Sequence, residues 1–272
     1  MCSVCGRRGA FYLRRSSGQR LCVKCLEQAI EAAVKRSIRG INVFRPGMRV
    51  GVYIASLDPR AGLALSAVMG SLERRYGGEA AALKPPYVSL DSSAVELLES
   101  RGVKVVEAGR RLNGSFHAAS LLRLERALAV EAASELGLRV AMLPVTRTMI
   151  SMIGVEAMMS GRLEYMWDLS VGWVEVRGVT AVYGLRTIES EAVAAYYYAL
   201  GVNVESQVEP VYRFKRVYTS IAYSGRPELE HSSEASIELL ASTIEVGGGC
   251  RLCGAPAGSL GVCSDCRILE GL

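Results

Sequence analysis

The chain has 272 residues, half of them apolar, eight cysteines and a formal charge of +5, enough apolar material for one full core plus small appendages. No run of eighteen uncharged apolar residues occurs, which excludes a helical membrane span from the expected elements. Residues 1–49 carry eleven Lys and Arg against only Glu27 and Glu31, whereas the remaining 223 residues hold 21 basic and 25 acidic side chains. The positive field therefore belongs to the amino-terminal segment, where it fits a polyanionic partner better than a merely solvated face.

All eight cysteines fall into Cys-x-x-Cys pairs: Cys2 with Cys5, Cys22 with Cys25, Cys250 with Cys253, and Cys263 with Cys266. Loops of sixteen and nine residues between successive pairs let four thiolates converge on one ion at each end of the chain. Disulfides are the competing reading. The opening Met1-Cys2, with no apolar leader ahead of it, argues instead for reduced thiols and a cytoplasmic protein. The expected cofactors are thus two structural zinc ions, with an iron–sulfur cluster not expected.

In chain order, residues 1–26 read as an amino-terminal zinc ribbon, its hairpin suggested by Ala10 to Leu13 and the turn Ser16-Ser17-Gly18. Residues 27–48 read as a basic linker helix: Leu26, Ile30, Val34 and Ile38 recur on one face, Lys35, Arg36 and Arg39 lie elsewhere, and Gly40 stops it. Residues 49–246 alternate strand and helix. Strands are predicted at Val50–Ala55, Tyr87–Leu90, Val103–Glu107 and Arg139–Leu143, with a further apolar segment near Trp173–Val182. Helices are predicted at Ala61–Arg75, Ser92–Ser100, Leu121–Leu136 and Glu189–Leu200, the last ended by Gly201. Such alternation implies a parallel sheet covered by helices on both faces. Gly247-Gly248-Gly249 leads into a carboxy-terminal ribbon, residues 247–272.

Five stretches resemble one family in order along the chain: Cys2-Ser3-Val4-Cys5-Gly6, Leu21-Cys22-Val23-Lys24-Cys25, Pro46-Gly47-Met48-Arg49-Val50, Glu209-Pro210-Val211-Tyr212-Arg213, and Cys250 to Pro256. The chain resembles the PP-loop ATP pyrophosphatases that act as tRNA 2-thiouridine sulfurtransferases. That resemblance implies an α/β fold with a parallel Rossmann-like sheet of the PP-loop (adenine nucleotide alpha hydrolase-like) type between two zinc ribbons. Family members place a Ser-Gly-Gly-x-Asp-Ser loop after the first strand. Here Ala55-Ser56-Leu57-Asp58-Pro59-Arg60 stands there, with neither glycine, and Pro59 removes a donor amide. The family's Gly-His-Asn-x-Asp-Asp segment has no counterpart in Leu143 to Ile150, which holds no carboxylate, so ATP and magnesium are doubtful ligands. The catalytic cysteines that the family uses, and that in many members anchor an iron–sulfur cluster, have no counterpart either, since no cysteine lies between Cys25 and Cys250. Asn113 to His117 and Ala222-Tyr223-Ser224 occupy the corresponding places.

No catalytic residue is identified. His117 and His231 have no partner motif, Tyr196-Tyr197-Tyr198 must place at least one ring in the core, and Trp167, Trp173, Met149, Met152, Met158 and Met159 read as packing. The expected function is a non-catalytic tRNA-binding or scaffolding subunit in tRNA 2-thiolation. Its tRNA contacts are assigned to Arg7, Arg8, Arg14, Arg15, Lys35, Arg36 and Arg39. The implied partners are tRNA, a second copy or an active paralogue, and a ubiquitin-like sulfur carrier, with no membrane. Two alternatives stand beside it: a divergent ATP-dependent tRNA sulfurtransferase using the altered loop, and a zinc-ribbon nucleic-acid-binding protein outside thiolation.

Overall fold

The computed structural model describes residues 1–222, 228–244 and 247–271, without the side chains of residues 221, 222, 228, 230 and 231. The first ribbon is a two-stranded hairpin, β1 (Tyr12–Leu13) and β2 (Arg20–Leu21). Helix α1 (Val23–Ile38) begins inside it and buries Leu26, Ile30, Ala33 and Val34, the face that the four-residue period marks. That face packs against β10 (Val179–Leu185) and α7 (Ser190–Leu200).

The central sheet is built from β3 (Arg49–Tyr53), β4 (Glu79–Lys84), β6 (Val103–Glu107), β8 (Val140–Thr146), β9 (Trp173–Val176) and β10, in the spatial order β6-β4-β3-β8-β10-β9. The first five run parallel, and β9 joins antiparallel to β10. Strands β8 and β10 are buried along their whole length, as two-sided burial demands of a parallel sheet. The order of the parallel strands reverses between β3 and β8. This is the switch point at whose carboxyl-terminal side an open α/β sheet forms its ligand crevice.

Helices α2 (Pro59–Arg75), α3 (Ser92–Ser100) and α4 (Ala118–Glu135) lie where the apolar period puts them, starting up to three residues early. Four features differ from expectation. Strand β4 is absent from the predicted elements because its Ala80-Ala81-Ala82 core carries helix propensity; sheet burial on both faces overrides it. Strand β5 (Val88–Leu90) leaves the main sheet and pairs antiparallel with β11 (Val204–Ser206). The segment Trp173–Val182 is a hairpin, turning at Arg177-Gly178 with Arg177 at φ 53°, as a two-residue hairpin turn requires. The Met-rich stretch forms a helix, α5 (Arg147–Met159), followed by a short α6 (Met166–Ser170). Strand β7 (Ser115–His117) pairs in parallel with β12 (Glu209–Val211), and α8 (Lys215–Ala222), α9 (Glu228–Ala241) and α10 (Arg267–Glu270) complete the α-helices among the described residues.

Helix α2 approaches the sheet closely enough to exclude side chains. A Cβ at Gly70 would lie 2.3 Å from Val103 Cγ2 and 2.7 Å from the Arg101 carbonyl. Although alanine favours a helix over glycine by about 1 kcal/mol, Gly70→Ala is therefore expected to destabilise the fold by about 1–3 kcal/mol through overpacking. Urea midpoints of the two proteins measure this.

Candidate metal centres and the carboxyl end of the sheet

Each terminal group brings its four sulfurs within 4.8 Å of one another, with Cys5 and Cys22 at 3.9 Å and Cys253 and Cys263 at 3.7 Å. The local chain explains the convergence. Gly6 at φ 64° and Gly254 at φ 78° turn the backbone so that their amides return to the carbonyls of Cys2 and Cys250, at 3.0 and 2.8 Å. Amides of Cys5 and Cys22 pull the Cys2 thiol down to about 6. In the second group, hydrogen bonds from Cys253, Cys263 and Cys266 favour the Cys250 thiolate, while Cys250, Cys253 and Cys263 push Cys266 up. A bound cation removes that unequal sharing by stabilising all four thiolates together.

The second group is fastened to the core by charge. Arg126 of α4 is fully buried and donates from Nε to the Cys253 carbonyl at 2.6 Å, from one terminal nitrogen to Tyr183 Oη at 2.7 Å, and from the other to Asp168. Arg123, one turn earlier, donates to Asp168 at 2.8 Å, to Asp265 at 3.1 Å and to the Glu164 carbonyl at 2.9 Å. Asp265 lies between Cys263 and Cys266, so α4, α6 and the ribbon share one network. Three buried charges in a helix with fourteen of its eighteen residues buried were the unused signal in the sequence.

The third charge is Glu125, 0 % exposed. It reaches the loop after β3, where Oε1 accepts from the amide of Ser56 and Oε2 from that of Leu57 at 3.2 Å. Burial pushes its carboxyl up to about 7 against the pull of those amides. Ala55, Ser56 and Leu57 are themselves buried, and Ser206 Oγ donates to Ser56 Oγ at 3.0 Å. Asp58 caps α2 by accepting from the Ala61 amide at 3.0 Å, and Pro59 takes the first helical position. Exposed Arg60 lies over the rings of Tyr197 and Tyr198 and donates to Tyr198 Oη at 3.2 Å. Of the three adjacent tyrosines, Tyr196 and Tyr197 are core and Tyr198 is exposed.

A second buried carboxylate, Glu156, accepts from the amides of Arg213 and Phe214 at 2.9 Å each. Half-buried His117 stands with Nε2 3.3 Å from Glu156 Oε1, and burial lowers its pKa despite that neighbour. Tyr212 Oη, close enough to feel the charges of Asp58, Glu125 and Glu156, has no hydrogen-bond partner among the described residues. Tyr223, Ser224 and the His231 side chain lie outside the described residues.

The seven basic residues assigned to tRNA do not form one cluster of free cations. Arg7, Arg8, Arg36 and Arg39 are exposed and make no ion pair among the described residues. Arg15 pairs with Glu191 at 3.1 Å and Lys35 with Glu31 at 2.7 Å. Arg14, half-buried beside Gln19, joins Arg36 in lining a cleft of about 260 Å³ between the first ribbon, α1 and the Thr187–Glu189 turn. No helix among the described residues is long and apolar enough to cross a membrane.

No protein-family model matches the sequence, and no curated protein matches it. In structure the chain is similar to the U34-tRNA thiolase NcsA from Methanococcus maripaludis with its [4Fe-4S] cluster. The TM-score is 0.72 over 100% of this chain and 96% of that one, at 15% identity. Likeness at that identity establishes a mixed α/β fold built on a mainly parallel sheet. It also corrects the cofactor expectation: zinc alone, with no iron–sulfur cluster, does not stand, because the structural neighbour carries such a cluster. Four cysteine thiolates are the donor set of iron–sulfur centres as well as of zinc, and Cys-x-x-Cys spacing does not separate the two.

Replacing Asp168 by Asn leaves two buried guanidinium groups short of a counter-charge and is expected to cost about 3–5 kcal/mol, read from urea midpoints. The raised pKa of Glu125 sets a second expectation. Between about 4.5, its ordinary value, and about 7, the folded chain holds a proton that the unfolded chain has released. Stability from this group is full below that window and falls as pH rises through it, by up to about 1.4 kcal/mol per pH unit. In Glu125→Gln, midpoints measured at pH 5 and pH 7.5 should differ less than in the parent.

Proposed function

We propose that the chain is a tRNA-modification protein of the thiolase type that serves as a non-catalytic, tRNA-binding subunit. The observation that carries this reading is the pairing of an end-to-end fold likeness to a U34-tRNA thiolase with a core that contains no thiol between Cys25 and Cys250. Sulfur transfer needs a thiolate that can carry the sulfur. The chemistry therefore falls to a partner: an active paralogue, or a sulfur-carrying protein of the ubiquitin-like kind. The surface that remains suits RNA, since exposed Arg7, Arg8, Arg36 and Arg39 offer donors for phosphate on the amino-terminal ribbon and α1.

In this reading both four-cysteine groups hold metal–thiolate centres. An iron–sulfur centre in this chain would be held by Cys2, Cys5, Cys22 and Cys25 or by Cys250, Cys253, Cys263 and Cys266, because these are all its cysteines. The centre's role is to hold each ribbon in shape.

Anaerobically purified protein should contain metal at both groups, and stripping it with a chelator should lower the thermal midpoint; zinc, iron and sulfide assays identify each centre. Gel shifts with tRNA test the functional reading. Binding should weaken with salt, and replacing Arg7, Arg8, Arg36 and Arg39 by Gln should flatten the log–log salt slope by about 0.9 for every phosphate that is no longer neutralised. No tRNA shift at low salt, alone or with a thiolase partner, would rule the reading out.

A further inference from the structure

We infer that the Glu125 carboxylate is the resident occupant of the anion cradle at the head of α2, and that it closes the switch point of the sheet to nucleotide phosphate. Backbone amides after β3, followed by the amino terminus of a seventeen-residue helix, form a place where an anion is stabilised. Above about pH 7, where Glu125 is ionised, an anion is already there, and it belongs to the protein. Successive amides, those of Ser56 and Leu57, meet the two oxygens of one carboxylate. Further along the turn, the amides of Arg60 and Ala61 turn to the Asp58 carboxylate, and Pro59 has none. Two carboxylates thus take up four amides of this turn, and their charge repels a phosphate as well as replacing it.

The occupant is not a mobile surface group. Glu125 is fully buried on α4, and its neighbours Arg123 and Arg126 are locked into the ribbon network, which holds the helix in register. On the other side, the loop is held by Ser206 Oγ donating to Ser56 Oγ, and by the burial of Leu57. A phosphate could reach the Ser56 and Leu57 amides only after Glu125 had left a site with no solvent exposure. The hydrogen-bonded Tyr53–Tyr87 pair, 2.7 Å apart, is also buried nearby, and burial together with the Glu125 charge pushes both phenols up. This inference concerns the nucleotide site alone and stands apart from the tRNA reading.

Calorimetry with ATP and magnesium on the full chain should show no saturable binding at millimolar nucleotide; micromolar binding would overturn the inference. In Glu125→Ala, the emptied cradle should accept formate as a detached carboxylate. The thermal midpoint of the variant should rise by several degrees in sodium formate relative to sodium chloride of equal ionic strength, with no such difference in the parent. A folded variant indifferent to formate would count against the cradle. Should Glu125→Ala not fold, Glu125→Gln provides the reading by amide NMR. At pH 8.5, where Glu125 of the parent is ionised, the Ser56 and Leu57 protons should move upfield as a charged acceptor becomes neutral, and unchanged shifts would refute the hydrogen bonds. tRNA gel shifts on the same proteins report separately, so loss of tRNA binding with these results intact removes the proposed function and leaves the closed cradle standing.

Discussion

A guanidinium taken fully out of water costs several kcal/mol unless every donor finds an acceptor and the charge finds a counter-charge. Arg126 meets that requirement only when three separate parts of the chain are in place: Asp168 from α6, Tyr183 from β10 and the Cys253 carbonyl from the last ribbon. Arg123 repeats the demand through Asp168 and Asp265. The carboxy-terminal ribbon is consequently part of the same cooperative unit as the sheet. The four-cysteine group places Cys253 and Asp265, and these in turn complete the shells of two arginines in the core.

The same helix faces the opposite problem at the carboxyl end of the sheet, where backbone amides have no strand partner. There the polar groups are met by acids: buried Glu125 for Ser56 and Leu57, buried Glu156 for Arg213 and Phe214, and half-buried Asp58 for Ala61. Charge-assisted bonds of this kind are stronger than neutral ones, yet the rise in the Glu125 pKa shows that desolvation still outweighs them. The crevice that an open parallel sheet ordinarily offers to a ligand is, in this chain, furnished with internal carboxylates.

Periodic signals are legible in the sequence and context-dependent ones are not. Leu26, Ile30, Val34 and Ile38 mark the buried face of α1, and Ser92–Ser100 and Val103–Glu107 appear with the bounds their pattern predicts. Strand β4 is hidden because three consecutive alanines say nothing of sheet burial, and the Trp173–Val182 run conceals a turn at Arg177-Gly178. At the site, the four-cysteine groupings are plain from spacing, whereas zinc alone is not a choice that spacing can make. That the Ala55–Arg60 loop holds no glycine is visible; what compensates its buried amides is not, because Glu125 lies about seventy positions later and only the packing of α4 against β8 and β10 brings them together.

That compensation gives the loop a physical logic of its own. Without Glu125, the Ser56 and Leu57 amides would stand unsatisfied, at about 1–3 kcal/mol each. Leu57 turned into the core, Pro59 without a donor and Glu125 supplying both acceptor oxygens together leave the Ser56 and Leu57 amides satisfied without a ligand.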